Sequence, residues 1–176
     1  MMIEDFFIAV PFDVSELNHR YKSEMIEKFL EFLNSEDSSR GNNYKYFNSE
    51  YAEPVVEKFE RVIQNEFEVG PNIKEDKWPA VYCQTNEHFR SIWHNHTKTS
   101  VINAVTYIDV PENGGHLEVE YNGTHTIKVY EDYLYIFPGW MLHRPLPQDD
   151  NKWRICVNLE YISKDIPFCK SRGIRW

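Results

Sequence analysis

The spacing of apolar residues changes from helical in the first part of the chain to alternating in the rest. An apolar residue at every fourth position predicts one helix that begins near Asp13 or Ser15. A second helix is predicted to begin at Pro54, a favourable first-turn residue, and to end before Gly70-Pro71. The two apolar stripes consist of Leu17, Tyr21, Met25, Phe29 and Leu33, and of Val55, Phe59, Val62 and Ile63. A short strand over residues 3–10 should precede both helices.

From about residue 78 the apolar positions alternate with polar ones, as they do in β-strands. Turn-forming dipeptides such as Asn122-Gly123 and Pro138-Gly139 separate most of the alternating runs. The predicted strands cover residues 79–84, 88–93, 99–110, 116–121, 124–130, 132–138 and 153–162. Short strands at this spacing predict a mainly β sandwich or jelly roll, with the two helices packed on the outside of one sheet. We therefore expect one domain over residues 1–176, with a helical part over about 13–70 and a β core over about 78–162.

Two groups of polar residues interrupt the apolar pattern of the predicted strands. Alternation assigns Arg154 and Asn158 to one face of the last strand, while the other face is apolar and must be buried. The polar face is therefore suited to line a cavity. His94 and His96 are two residues apart and should also share a face, so that both can point at one spot. Together with a distant third histidine, His143, they indicate a metal site beside an anionic cosubstrate.

Composition excludes several classes of function. The formal net charge of −9 argues against a broad nucleic-acid-binding surface. The three cysteines, Cys83, Cys156 and Cys169, form neither a CxxC pair nor a disulfide framework, so we expect a protein of the reducing cytoplasm. The N-terminal apolar run is short and acidic, and we expect neither a signal peptide nor a membrane-spanning segment.

These residues carry a resemblance to a known family. The stretch 93–109, the segment 114–119 and the regions around His143 and Arg154 resemble the 2-oxoglutarate and Fe(II)-dependent oxygenases. The prolyl-hydroxylase-like group, with its small bacteriophage-type and bacterial members, is the most similar in style. The resemblance covers about residues 78–162 and implies a double-stranded β-helix of the jelly-roll or cupin-like kind. It also implies a dioxygenase, most commonly a hydroxylase, that couples decarboxylation of 2-oxoglutarate to succinate with oxidation of a substrate C–H bond.

The resemblance assigns roles to individual residues. The family's first metal ligand maps onto His94 and its distal ligand onto His143, and the arginine that binds the far carboxylate of 2-oxoglutarate maps onto Arg154. Tyr107 would touch the same carboxylate. Two further candidates for cofactor contacts are Asn103 and Asn158. The implied cofactors are Fe(II), 2-oxoglutarate and O₂, with ascorbate as the reductant in vitro.

The chain departs from the family pattern at two positions. His96 stands where the family has a carboxylate ligand, so that the implied metal ligands become His94, His96 and His143. Three imidazoles can still bind Fe(II), but the site then lacks one negative charge. Cys156 stands where members usually have Ser or Thr two residues after the arginine, which weakens one hydrogen bond to the cosubstrate.

Other interpretations remain open at this point. The chain could be a three-histidine, cupin-like metalloprotein that does not use 2-oxoglutarate, or a non-catalytic binding module of the same fold. Arg154 could instead form a structural salt bridge. The substrate could be a protein side chain or a small molecule, and loops at 34–50, 64–78 and 84–92 are predicted to border it. Neither the substrate nor the oligomeric state follows from the sequence.

Overall fold

β-Strands make up most of the fold in the computed structural model, which describes residues 2–35, 48–69, 79–87, 91–149 and 151–176. The two helices are α1 (Ser15–Leu33) and α2 (Ser49–Glu66). The strands are β1 (Ile8–Pro11), β2 (Phe67–Glu68), β3 (Ala80–Gln84), β4 (Ile102–Asp109), β5 (Leu117–Glu120), β6 (Thr124–Ile127), β7 (Tyr133–Pro138), β8 (Leu142–Pro145), β9 (Arg154–Tyr161), β10 (Phe168–Cys169) and β11 (Ile174–Arg175). A 3₁₀ turn, Ile3–Asp5, precedes β1.

Two antiparallel sheets form the double-stranded β-helix. The larger sheet has the strand order β1-β7-β4-β9-β3, and the smaller one has the order β6-β5-β8. A cavity between them is lined by residues of both sheets. A third small sheet, β11-β10-β2, joins the C-terminal end of the chain to the end of α2. The predicted mainly β fold with a double-stranded β-helix is therefore confirmed.

The helices cover the face of the larger sheet that lies away from the cavity. Contacts join α1 to β3 and to the central strand β4. Residues 102–108 of β4 are all buried, because helices cover one of its faces and the cavity lies against the other. Phe29 in α1 and Phe59 in α2 are buried, as their positions on the apolar stripes predict. No helix in the described ranges is both long and apolar enough to cross a membrane.

The structure corrects several predicted boundaries. Helix α2 begins at Ser49 rather than at Pro54, because the side chain of Asn48 accepts a hydrogen bond from the backbone N–H of Tyr51 and caps the helix. Pro54 lies inside the helix. Residues 3–5 form a 3₁₀ turn instead of the start of a strand, and Asp5 accepts a hydrogen bond from the backbone nitrogen of Met2.

Other predictions concern segments that are short or outside the described ranges. Residues 91–93 form no strand, which corrects the predicted strand 88–93, and residues 88–90 lie outside the described part. Gly70-Pro71, the predicted end of the second helix, also lies outside it. Of the predicted substrate loops, 36–47, 70–78 and 88–90 lie outside it as well, whereas 64–68 belong to α2 and β2.

Candidate metal centre

A pair of histidines two residues apart and a third that is distant in the sequence converge at one end of the cavity. One possible ligand atom from each of His94, His96 and His143 lies within 4.8 Å of the other two. The ring centroids of His94 and His143 are 4.3 Å apart, and that of His96 is 5.4 Å and 5.2 Å from them, respectively. All three rings line the cavity. This arrangement is compact enough for the three imidazoles to hold one metal ion.

Backbone contacts, rather than a shared strand, bring the histidines together. His94 and His143 exchange backbone hydrogen bonds of 3.1 Å and 2.9 Å, so His94 is attached to β8 as a single bridge residue. The backbone N–H of His96 donates to the carbonyl of Gly139 at 2.7 Å. Because residues 91–96 form no regular strand, the expected reason for the convergence, two side chains on one strand face, is wrong.

Gly139 permits the close contact that holds His96. A Cβ added at Gly139 would lie 2.1 Å from the backbone oxygen of Ser100, which no real side chain tolerates. A glycine is therefore required where the turn after β7 meets the segment that follows the histidine pair. The Pro138-Gly139 turn, predicted from sequence as a strand end, thus also fixes the backbone of His96.

Each histidine uses its Nδ1 to bond an oxygen of the protein. The Nδ1 of His94 is 2.8 Å from the carbonyl of Ile92, and that of His143 is 3.0 Å from the carbonyl of Met141. The Nδ1 of His96 is instead 2.9 Å from a carboxylate oxygen of Glu160. Because these oxygens are acceptors, Nδ1 carries the hydrogen in each ring, and Nε2 carries the lone pair that a metal requires.

The environment of His143 keeps its ring neutral. Burial is the main cause that lowers the pKa of His143 to about 3; the neighbouring rings of His94 and His96 act in the same direction, and the Met141 carbonyl acts against them. The imidazole therefore retains its lone pair at neutral pH, as metal coordination needs.

A buried arginine, Arg154, is the first residue of β9. Arg154 is 3% exposed, and its Nε donates to the carbonyl of Gly115 at 2.7 Å. Its Nη1 donates to Gln84 Oε1 at 3.1 Å and contacts Cys156 Sγ at 3.4 Å, and its Nη2 donates to the hydroxyl of Tyr107 at 3.1 Å. All four partners are neutral, and no carboxylate of the described residues lies within 4 Å of the guanidinium. A structural salt bridge for Arg154 is therefore not found in the described ranges.

Arg154, Tyr107 and Cys156 form what we call the arginine cluster, and its ionisation follows from its burial. Burial by itself would lower the pKa of Arg154, but Tyr107 and Cys156 outweigh that effect and the pKa lies above its ordinary value. Burial raises the pKa of Tyr107 and of Cys156, although the nearby guanidinium opposes it in both cases. At neutral pH the cluster therefore presents a positive charge, a phenol and a thiol to the cavity.

One cavity of about 390 Å³ is lined by both the three histidines and the arginine cluster. Its lining includes every residue assigned to the site from sequence: His94, His96, Asn103, Tyr107, His143, Arg154 and Asn158. Arg154 lies at one end of β9 and Glu160, which contacts His96, lies near the other, so the histidines and the arginine face the cavity from opposite ends. Asn158, between them, donates to Glu160 Oε1 at 3.3 Å.

Asn103 forms the floor of the cavity beside the histidines. It is paired across the larger sheet with Phe137 on one side and Glu160 on the other. Phe137 contacts the ring of His143, with centroids 4.8 Å apart, and Glu160 contacts His96. Asn103 is 1% exposed, and neither its Oδ1 nor its Nδ2 has a hydrogen-bond partner among the described residues. A buried amide of this kind is suited to bind a ligand in the cavity.

Sequence reasoning missed the residues that support the site. Glu160 lies on the same alternating face of β9 as Arg154 and Asn158, so extending that face by two residues would have found it. Gln84 and Gly115, which contact Arg154, carry no comparable signal, because strand pairing and a distant turn bring them there.

Comparisons with known proteins identify the fold. No protein-family model and no curated protein matches the sequence. Among solved structures, a prolyl-4-hydroxylase from Pseudomonas putida superposes with a TM-score of 0.59 at 14% identity, over 89% of this chain and 92% of that one. A prolyl hydroxylase from Trichoplax adhaerens, in complex with a peptide fragment of hypoxia inducible factor, gives 0.56 at 14% identity, over 90% and 84%. The nickel complex of ThoJ, a non-heme monooxygenase, gives 0.61 at 8% identity, over 89% and 74%. At these identities the likeness establishes a shared double-stranded β-helix fold.

Proposed function

We propose that the chain is a non-haem oxygenase that uses Fe(II), 2-oxoglutarate and O₂, and that it hydroxylates a protein side chain or a small molecule. With iron and 2-oxoglutarate bound, O₂ would be the oxidant: one of its oxygen atoms would enter succinate as 2-oxoglutarate loses CO₂, and the other would enter the substrate C–H bond. One observation carries the proposal. A single cavity has three histidines at one end and, at the other, a buried arginine whose described partners are all neutral.

The histidine cluster fits a divalent transition metal. His94, His96 and His143 would hold it through Nε2, because each Nδ1 is bonded to a protein oxygen. Imidazole suits iron, although the usual set for such enzymes has two histidines and one carboxylate. Beyond the histidines the lining includes apolar side chains such as Leu117 and Phe137, and the cluster opens to solvent at His94, which is exposed.

The arginine cluster fits the far carboxylate of a keto acid. A guanidinium is always charged, and a buried charge is costly without a partner of opposite sign. Arg154 would bind the carboxylate through its N–H donors. Tyr107 accepts from Arg154, and its raised pKa keeps its own hydrogen available to donate to the same carboxylate.

Two amides would complete the binding of the cosubstrate. Asn103 lies beside the histidines, and a ligand that bonds its Oδ1 and Nδ2 would remove the cost of burying them. Asn158 lies between Glu160 and Arg154 on the same face of β9 and lines the cavity. Both would orient the ligand between the metal and the arginine.

The proposal predicts that the purified chain, given Fe(II), 2-oxoglutarate and ascorbate, releases succinate slowly even without a substrate. His143→Ala should abolish this release, and Arg154→Ala should strongly reduce it at a 2-oxoglutarate concentration that just saturates the native protein. His125→Ala is the matched control, because His125 bonds the carbonyl of Tyr121 and lies outside the histidine cluster. Succinate is measured by chromatography against a reaction without iron.

The negative outcomes of this experiment separate the alternatives. A chain that binds metal but never consumes 2-oxoglutarate would be a three-histidine metalloprotein of another kind. A chain that binds no metal would be a binding module of the same fold. Either result would refute the proposed oxygenase activity.

The substrate and the location of the protein are further parts of this proposal. We propose a protein or small-molecule substrate, because the net charge of −9 disfavours nucleic acid. A cytoplasmic location is proposed from the three cysteines, which are all unpaired thiols and buried.

A further inference from the structure

Glu160 is a carboxylate that stands directly behind one of the three histidines. Its Oε1 is 2.9 Å from Nδ1 of His96, and the two side chains are 15% and 13% exposed. The Nδ2 of Asn158 donates to the same oxygen at 3.3 Å. Glu160 therefore accepts two hydrogen bonds in a half-buried position on the inner face of β9.

The three histidines differ in what holds their Nδ1. His94 and His143 are held by neutral backbone carbonyls. His96, which stands where the resembling family has a carboxylate ligand, is the one of the three that is held by a carboxylate. The negative charge that the family carries on a metal ligand thus lies here on Glu160, one side chain further from the proposed metal position.

We infer that Glu160 is a positioning residue that acts through His96, supplying the metal site with the negative charge that His96 itself lacks. This inference rests on the proposed function for the identity of the metal, but not for the contact between Glu160 and His96.

Two physical effects support this role. A carboxylate that accepts the Nδ1 hydrogen fixes the tautomer and orientation of the ring and makes the other nitrogen a stronger donor to a metal. Its charge also acts directly on a divalent cation, and more strongly in a half-buried site than in water. Arg154 and Glu160 then give the inner face of β9 opposite charges at its two ends, one for an anion and one for a cation.

The test measures metal binding alone, without keto acid or turnover. Co(II) is titrated into the purified chain and followed by its visible absorbance, in the native protein and in Glu160→Gln. The substitution keeps the size of the side chain and an oxygen acceptor but removes the charge. We expect the dissociation constant for Co(II) to rise about 10–100-fold.

Glu118→Gln is the matched control. Glu118 has a similar exposure of 13%, lies in β5, and pairs with Arg144 at 2.6 Å instead of with a histidine. Its substitution should leave Co(II) binding within about twofold of native, because Glu118 bonds none of the three imidazoles. Circular dichroism and thermal unfolding check that both variants are folded.

A double substitution distinguishes this role from a general structural one. In His96→Asp no imidazole lies between Glu160 and the metal position, so the part of the effect that acts through the ring is lost. Glu160→Gln should therefore weaken Co(II) binding less in the His96→Asp background than in the native one. A purely structural role predicts the same loss in both backgrounds.

The possible results separate this inference from the proposed function. Native protein that takes up no Co(II) would contradict both. If the native protein binds Co(II) and Glu160→Gln binds it equally well, the role of Glu160 is overturned and the metal site stands. The same conclusion follows if Glu160→Gln weakens Co(II) binding by the same factor in both backgrounds. A second measurement needs only the native protein: nitrogen-15 NMR of the Zn(II) form should detect a hydrogen-bonded Nδ1–H at His96, and its absence would also overturn the inference.

Discussion

Arg154 is a fully buried cation whose bonds to described residues all end on neutral groups. These bonds orient the guanidinium but do not neutralise it. Removing one partner of a desolvated, hydrogen-bonded charge pair costs about 2–5 kcal/mol. If the partner is the far carboxylate of 2-oxoglutarate, the arginine should dominate the affinity for the cosubstrate.

Arg154→Ala should therefore weaken 2-oxoglutarate binding about 30-fold or more, since each 1.4 kcal/mol changes affinity about tenfold. Arg154→Lys should recover only part of it, because an ammonium group cannot bind a carboxylate in the two-pronged way of a guanidinium. Calorimetry on the metal-loaded protein measures both. Arg175→Ala is the control, as Arg175 is exposed and bonds the carbonyl of Ile166. Equal affinity in Arg154→Ala and in native protein would remove Arg154 from the cosubstrate site.

At the scale of residues, the sequence predicted the side chains that face the cavity but not those that support them. His94, Tyr107, His143 and Arg154 were found because a known family has functional residues in the same order and at similar spacing. Glu160 was not found, because the polar face of β9 was followed only to Asn158; alternation places Glu160 on that face but does not predict its bond to His96, 64 positions away. A contact of this kind has no local pattern.

At the scale of elements, the helices and the long strands followed from periodicity, whereas the shortest elements did not. Helix α1 and strands β4, β7 and β9 carry enough residues for their period to be distinct. Strand β8 has four residues and contains Arg144 and Pro145, which hide its alternation. It is nevertheless the strand that carries His143 and binds His94 through the backbone. The element most important for the site was thus among the hardest to predict.

Helix α1 contributes to the site by supporting the sheet from behind. Phe29 is buried and packs edge-on against Trp153, with ring centroids 5.9 Å apart, just before the strand that begins at Arg154. Phe29→Ala should lower the free energy of unfolding by about 3–5 kcal/mol, the usual cost of removing a buried aromatic ring.

The neighbouring residue gives a control for this prediction on the same helix. Leu30 is 43% exposed, and Leu30→Ala should change stability by less than about 0.5 kcal/mol. Urea unfolding of both variants makes the comparison. If the two lost similar amounts, α1 would not be packed on the sheet as described.

At the scale of the whole molecule, the proposed metal would join a segment without regular structure to the smaller sheet. His94 and His96 belong to a segment without regular structure, which is attached to β8 by the bridge between His94 and His143 and to the turn after β7 through Gly139. Arg154, at the far end of the cavity, belongs to the larger sheet. A metal held by all three histidines would connect the irregular segment to the smaller sheet. The cosubstrate, bound to both the metal and Arg154, would then connect these two parts to the larger sheet.

Metal binding should therefore stabilise the fold as a whole. A ligand that binds only the folded state adds about 2.7 kcal/mol when its free concentration is 100 times its dissociation constant. For a chain of this size each kcal/mol raises the unfolding temperature by about 2–4 °C, so saturating Co(II) should raise it by about 5–10 °C. Differential scanning calorimetry with and without chelator measures the shift. His143→Ala should lose the shift and His125→Ala should keep it, because His125 bonds the carbonyl of Tyr121 and takes no part in the histidine cluster. An equal shift in His143→Ala would mean that the metal binds elsewhere, and the three histidines would then need another explanation.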